Sequence, residues 1–198
     1  LAPEHPFPTG LEDCYAALEW IAEHPENALG DPDRIAVGGK SAGGNLTIAL
    51  SLLARDRGGP QIARQLPCVP ITDRPRETES YEENAEGYGL TRADMEWYWN
   101  HYVRSEIDAG NRYAAPLQAP DLSGLPPATV VTGGFDPLRD DGIAYVNSLR
   151  DVGVPVEHHH FPDMAHNVTS SAFHYHDVGR TREAIGKLAE AVRENLGE

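Results

Sequence analysis

Lysine is nearly missing from this chain: Lys40 and Lys187 stand against fourteen arginines and thirty-one acidic residues, which leaves a formal charge of −15. A surface of that sign repels polyanions, so nucleic acid and anionic lipid are excluded as expected partners. The acidity fits salt adaptation and, equally, a GC-rich genome that favours arginine codons. Cysteine is scarce too. Cys14 and Cys68 are too few for a disulfide framework and form no C-x-x-C pair for zinc or redox chemistry. Both are expected as buried free thiols. No apolar run approaches the ~18 residues of a membrane span. The chain opens on Leu1-Ala2-Pro3-Glu4-His5, without an initiator Met or the charged start and apolar middle of a signal peptide. The expectation is a cytoplasmic protein, with secretion left open, whose natural beginning lies upstream. No repeat, linker or low-complexity tract divides the 198 residues, which suit one domain with a sizeable core.

What is present alternates in period. Thr9 and Glu12 have capping-box spacing, and Leu11, Cys14, Tyr15, Leu18, Ile21 and Ala22 recur at helical intervals, so a helix is predicted over 9–23. After a turn at Asp31-Pro32-Asp33, Ile35-Ala36-Val37 reads as a short buried strand. Leu46, Ala49, Leu50 and Leu53 mark a helix that stops at Arg57-Gly58-Gly59-Pro60. Residues 66–71 form a further predicted strand, and 73–88 read as irregular and solvated. A helix over 92–104 carries Met95, Tyr98, Trp99 and Tyr102. Such stripes more often pack on a core than line a substrate pocket, and both readings stand. Strands over 128–135 and 154–161 flank a helix bearing Ile143, Val146 and Leu149, and a last helix carries Ile185, Leu188, Ala189 and Val192. This order implies an α/β fold with a mostly parallel sheet flanked by helices.

Gly39-Lys40-Ser41-Ala42-Gly43 matches G-x-S-x-G. The glycines are expected to make room for a tight strand-to-helix turn that holds the serine hydroxyl out at the sheet edge. The pentapeptide is weak evidence alone, but it stands directly between a predicted strand and an apolar-periodic helix. A helix start there directs N–H groups at a developing oxyanion, and Ala42 N–H is the candidate donor. Serine needs a base, and the base needs a carboxylate to orient it. Asp136 ends one later strand and His166 follows another, giving the chain order Ser, Asp, His. Among nine histidines, His158, His159 and His160 alternate across a strand and cannot converge on one site, as a catalytic base or as metal ligands. His174 and His176 are the rivals of His166. Asp140 and Asp141, rivals of Asp136, are expected at the surface or supporting it. No metal, nucleotide or flavin cofactor is indicated.

Leu1-Ala2-Pro3-Glu4-His5-Pro6-Phe7-Pro8, Ser41-Ala42-Gly43-Gly44-Asn45, Gly87-Tyr88-Gly89-Leu90-Thr91, Asp136-Pro137-Leu138-Arg139-Asp140 and Met164-Ala165-His166 resemble, in order and approximate spacing, successive motifs of the hormone-sensitive lipase family of esterases. The resemblance implies an α/β-hydrolase fold and cofactor-free hydrolysis of small carboxylic esters with short to medium acyl chains. By it Ser41 is the nucleophile, Asp136 the acid and His166 the base. It also implies a homodimer through the last strand and helix. Three departures stand out. Lys40 occupies the usual place of an Asp and could favour the alkoxide, draw in an acidic substrate or reach only solvent. Asn167 replaces a glycine, which narrows the expected acyl pocket. The His-Gly-Gly-Gly loop that supplies most of the family's oxyanion hole is missing. Residues 1–198 are therefore expected to form one N-terminally incomplete catalytic domain with about four strands and a cap-like segment near 73–112. Alone it is expected to be weak or inactive and to need a complementary N-terminal segment. A non-catalytic binding protein on the same fold, an amidase and a lactonase are the alternatives.

Overall fold

The computed structural model describes residues 1–28, 31, 33–75, 77–169 and 178–196. Helices α1 (Thr9–Glu23) and α2 (Pro25–Ala28) lead to strand β1 (Ala36–Lys40), helix α3 (Ala42–Arg57) and strand β2 (Arg64–Cys68). A long excursion follows, with α4 (Glu79–Glu83), α5 (Arg92–Tyr102), α6 (Glu106–Ala109) and a 3-10 turn at Pro116–Gln118. The chain then returns through β3 (Ala128–Phe135), α7 (Arg139–Asp151), β4 (Val156–Ala165) and α8 (Val178–Leu196). The four strands pair in parallel in the order β1-β2-β3-β4. Parallel neighbours cannot be joined by tight turns, and α3 and α7 are the crossovers that satisfy this.

The core follows from which helix faces are apolar. Phe7 and, from α1, Leu11, Tyr15 and Leu18 pack on Ala49, Leu50 and Leu53 of α3 and on Trp99 of α5. The other side of α3, with Ile48 and Leu52, meets Ala128 and Val130 of β3 and Tyr145, Val146 and Leu149 of α7. Buried on two sides, α3 is the central helix, and a Leu52→Ala cavity there belongs to the class costing ~2–5 kcal/mol. Cys68, Val131, Phe161, Met164 and Ala184 form a third cluster that joins α8 to the sheet. Gly58, with φ +61°, ends α3 where the sequence predicts, and its N–H returns to the carbonyls of Ala54 and Arg55.

Several expectations need correction. Pro8 occupies the position before α1, where no side chain caps the helix, so Thr9 and Glu12 make no capping box. The box forms instead at Thr91 and Asp94, at the start of α5. Segment 73–88 is not simply irregular and solvated: it contains α4, and Asp73, Ser80, Tyr81 and Asn84 are buried. Cys14 is only half-buried, whereas Cys68 is buried and its thiol is pushed up to about 12 by desolvation. Strand β4 runs on to Ala165 past a register shift opposite Gly133 and Phe135. A Cβ on Gly134 would stand 2.1 Å from the Pro162 carbonyl oxygen, so this close passage requires glycine.

Candidate active site

Each predicted group is the first residue beyond a strand. Ser41 follows Lys40 at the end of β1, Asp136 follows Phe135 at the end of β3, and His166 follows Ala165 at the end of β4. In a parallel sheet these ends share one edge, so residues far apart in sequence meet there. His166 Nε2 lies 3.0 Å from Ser41 Oγ, and His166 Nδ1 lies 2.9 Å from Asp136 Oδ2. Asp136 is fully buried, and its other oxygen accepts the Leu138 N–H at 2.9 Å. An ionised carboxylate can only accept, so Nδ1 must carry the imidazole proton and neutral Nε2 is left to accept from the serine hydroxyl.

The local backbone explains the serine's position. Ser41 has φ +57° and ψ −116°, a conformation costing on the order of 1–3 kcal/mol that the surrounding turn must sustain. Its N–H is fixed by the Cys68 carbonyl at 2.9 Å. A Cβ on Gly39 would stand 2.3 Å from the Gly43 carbonyl oxygen, which accounts for the first motif glycine. Gly43 itself has open space at that position, so the second motif glycine is not needed for side-chain clearance. The close approach falls on Gly44, 2.9 Å from Pro70. Ala42 opens α3, and its N–H therefore has no acceptor within the helix.

A cavity of about 540 Å³ meets Ser41 and His166. Leu46, Ile71, Leu90, Met95, Trp99 and Tyr102 give it an apolar wall, so the α5 stripe both packs and lines the cavity. Lys40 and Asn167 border it, and Lys40 Nζ donates to Asn167 Oδ1 at 2.6 Å. A larger hollow of about 630 Å³, between Arg74 and Arg104, touches none of the three groups.

The rivals fall elsewhere. His158 and His160 share the Thr132 hydroxyl, at 2.8 and 2.9 Å, on one side of β4, while His159 lies 3.8 Å from Glu157. His174 and His176 lie outside the described residues. Asp140 Oδ2 accepts the Ser80 N–H, and buried Asp141 accepts from Thr72. Three supporting residues escaped the sequence reading. Asn84 donates to the carbonyls of Gly134 and Asp136, Ser80 Oγ donates to Pro137 O, and Asn45 ties α3 to the carbonyls of Ile71 and Ala114. Only Asn45 had a signal, its place directly after the glycines of the serine motif.

Residues 1–170 match the family profile described as alpha/beta hydrolase fold. The chain belongs to that family. Among α/β-hydrolases it is 42% identical over 202 residues to the carboxylic ester hydrolase LipN of Mycobacterium tuberculosis, covering 99% of this chain and 53% of LipN. An arylesterase of Saccharolobus solfataricus is 42% identical over 156 residues, covering 78% of this chain and 51% of the other. The fold also matches a solved α/β-hydrolase enzyme from the metagenome of Lake Arreo, Spain, at a TM-score of 0.92 and 37% identity, covering 100% of this chain and 62% of that one. These relatives bear out the resemblance to hormone-sensitive-lipase-like esterases. The chain thus spans little more than half the length of these α/β-hydrolase relatives.

Proposed function

We propose that this chain carries the serine, acid and base of a carboxylic ester hydrolase that works through an acyl-enzyme. The observation that carries the reading is the continuous Asp136–His166–Ser41 hydrogen-bond chain at the edge of an apolar cavity. Ser41 Oγ attacks the ester carbonyl as His166 Nε2 takes its proton, and Asp136 steadies the resulting imidazolium. The tetrahedral oxygen is met by Ala42 N–H, helped by the positive end of α3. His166 then protonates the departing alcohol, leaving an acyl-Ser41 ester. Water, deprotonated by His166, releases the acid and restores Ser41. No cofactor enters these steps. Residues 1–198 act as one catalytic domain in this reading, with 73–112 as a cap whose α5 closes the cavity.

Ala42 is the only oxyanion donor assigned, so the reading includes further N–H groups from a complementary segment outside the described residues. Without them, turnover is expected to fall by ~10²–10³. The esterase names of the relatives support small carboxylic esters as substrates, and the apolar cavity suits short to medium acyl chains. The test is p-nitrophenol release from butyrate and octanoate esters by the protein at the full length its gene encodes. Ser41→Ala should lose on the order of 10⁴-fold or more in kcat. Equal rates for both proteins would point to a binding protein on a hydrolase fold.

A further inference from the structure

Acidic residues outnumber basic ones almost two to one in this chain, yet among the described residues no carboxylate lines the cavity at Ser41. The fixed cation there is the half-buried Lys40. No carboxylate lies within ion-pairing distance of its ammonium among the described residues, and its one side-chain partner is the neutral Asn167 amide oxygen at 2.6 Å. An ammonium has three N–H donors, so two remain beyond that contact. Partial burial of a cation that has no ion pair, with Asp136 attracting it only from a distance, is unfavourable, and a bound anion would relieve it. Desolvation pulls the Lys40 pKa down in spite of the opposing influence of Cys68 and Asp136.

His166 must hand its proton to the departing oxygen, so the alcohol part of the ester lies on the His166 side of Ser41. The carbonyl oxygen turns instead toward Ala42 N–H. Lys40 is tied to Asn167, the residue that follows His166 in the chain. We propose that Lys40, with Asn167 on the leaving-alcohol side and not in the acyl pocket expected from the sequence, is the anion-binding element of a leaving-group subsite, and that the preferred substrates are esters whose alcohol part bears a carboxylate. This inference rests on the ester-hydrolase reading.

The probes are 3-acetoxybenzoate and its neutral counterpart 3-acetoxybenzamide, followed by acid release in a pH-stat at 0.15 M salt, where the Debye length of ~8 Å screens distant acids. The meta position keeps the carboxylate away from the ester carbonyl. Wild type should prefer the carboxylate ester by ~10-fold in kcat/KM. Lys40→Gln, which keeps a donor for Asn167, and Lys40→Met should both bring that ratio close to one. A wild-type ratio near one, or a ratio unchanged in both variants, overturns the proposal. So does an equal loss on both esters, which would make Lys40 a positioning residue.

Binding separates this failure from failure of the esterase reading. In the Ser41→Ala protein, 3-hydroxybenzoate should bind ~10-fold more tightly than 3-hydroxybenzamide by ligand-observed NMR. Lys40→Gln added to that background should abolish the difference. Inactivity of the full-length wild type on both esters and on p-nitrophenyl butyrate would sink the esterase reading, while the NMR comparison would still decide the subsite. Equal binding of the two phenols would sink the subsite whatever the turnover.

Discussion

Environment, not ring chemistry, separates the histidines of this protein. His166 has a carboxylate on one nitrogen and a hydroxyl on the other. His158 has a hydroxyl on one side, with His160, Arg150 and His159 nearby. Burial, then His160, Arg150 and His159, hold its pKa down to about 4, and burial also lowers that of His160. The shared Thr132 hydroxyl can donate to one ring while accepting from the other only if a ring nitrogen stays unprotonated. The unfolded chain, with an ordinary value near 6.5, binds more protons than the folded one between about pH 6.5 and 4. The stabilisation is thus complete above pH 6.5 and is lost as pH falls toward 4. After allowance for half-exposure, His158 should account for about 1–2 kcal/mol of that loss. Thermal melts at pH 7 and pH 4.5 should show a smaller drop in Tm for His158→Gln than for wild type, and equal drops would refute this account.

At the scale of elements, α4 does the least expected work. Ser80 and Asn84 sit one helical turn apart and hold the carbonyls of Gly134, Asp136 and Pro137, so the helix braces the turn that presents the proposed acid. Removing the Asn84 amide should let that turn drift. Asn84→Ala is expected to lower kcat on p-nitrophenyl butyrate by ~10–10²-fold with little change in KM, and an unchanged kcat would show that the brace is idle. None of this was legible in the sequence. The stretch Thr78 to Asn84 is polar apart from Tyr81, and its burial depends on partners more than fifty residues away. Ser41, Asp136 and His166 were legible because each follows a predicted strand in the order serine, acid, base, and the parallel sheet then brings those strand ends together. The strand ends themselves were harder to read. Nothing in Pro162-Asp163 announces that β4 continues past the Gly133–Gly134 bulge to reach His166. Thr9 misled for a related reason: Pro8 and the preceding turn set the start of α1, which no spacing rule registers.

For the whole molecule, charge and sheet topology pull in opposite directions. Among the described strands β1 and β4 are the outer two, and an open flank can pair with another chain. A net charge of −15 opposes such encounters at long range and does so less in salt. Sedimentation velocity should therefore detect more self-association in 0.5 M than in 0.02 M sodium chloride, and salt-independent sedimentation would remove the edge from consideration. The same arrangement bears on how the protein fails when warmed. Among the described strands β1 hangs from β2 alone and β4 from β3 alone, whereas β3 is gripped on both flanks, so the serine and the histidine ride on outer strands and only Asp136 follows an inner one. Amide protons over 36–40 will trade with solvent sooner than those over 128–133. In a polypeptide of residues 1–198, warming should free the strand of Ser41 before β3 gives way, parting the proposed serine from its acid ahead of the main melt.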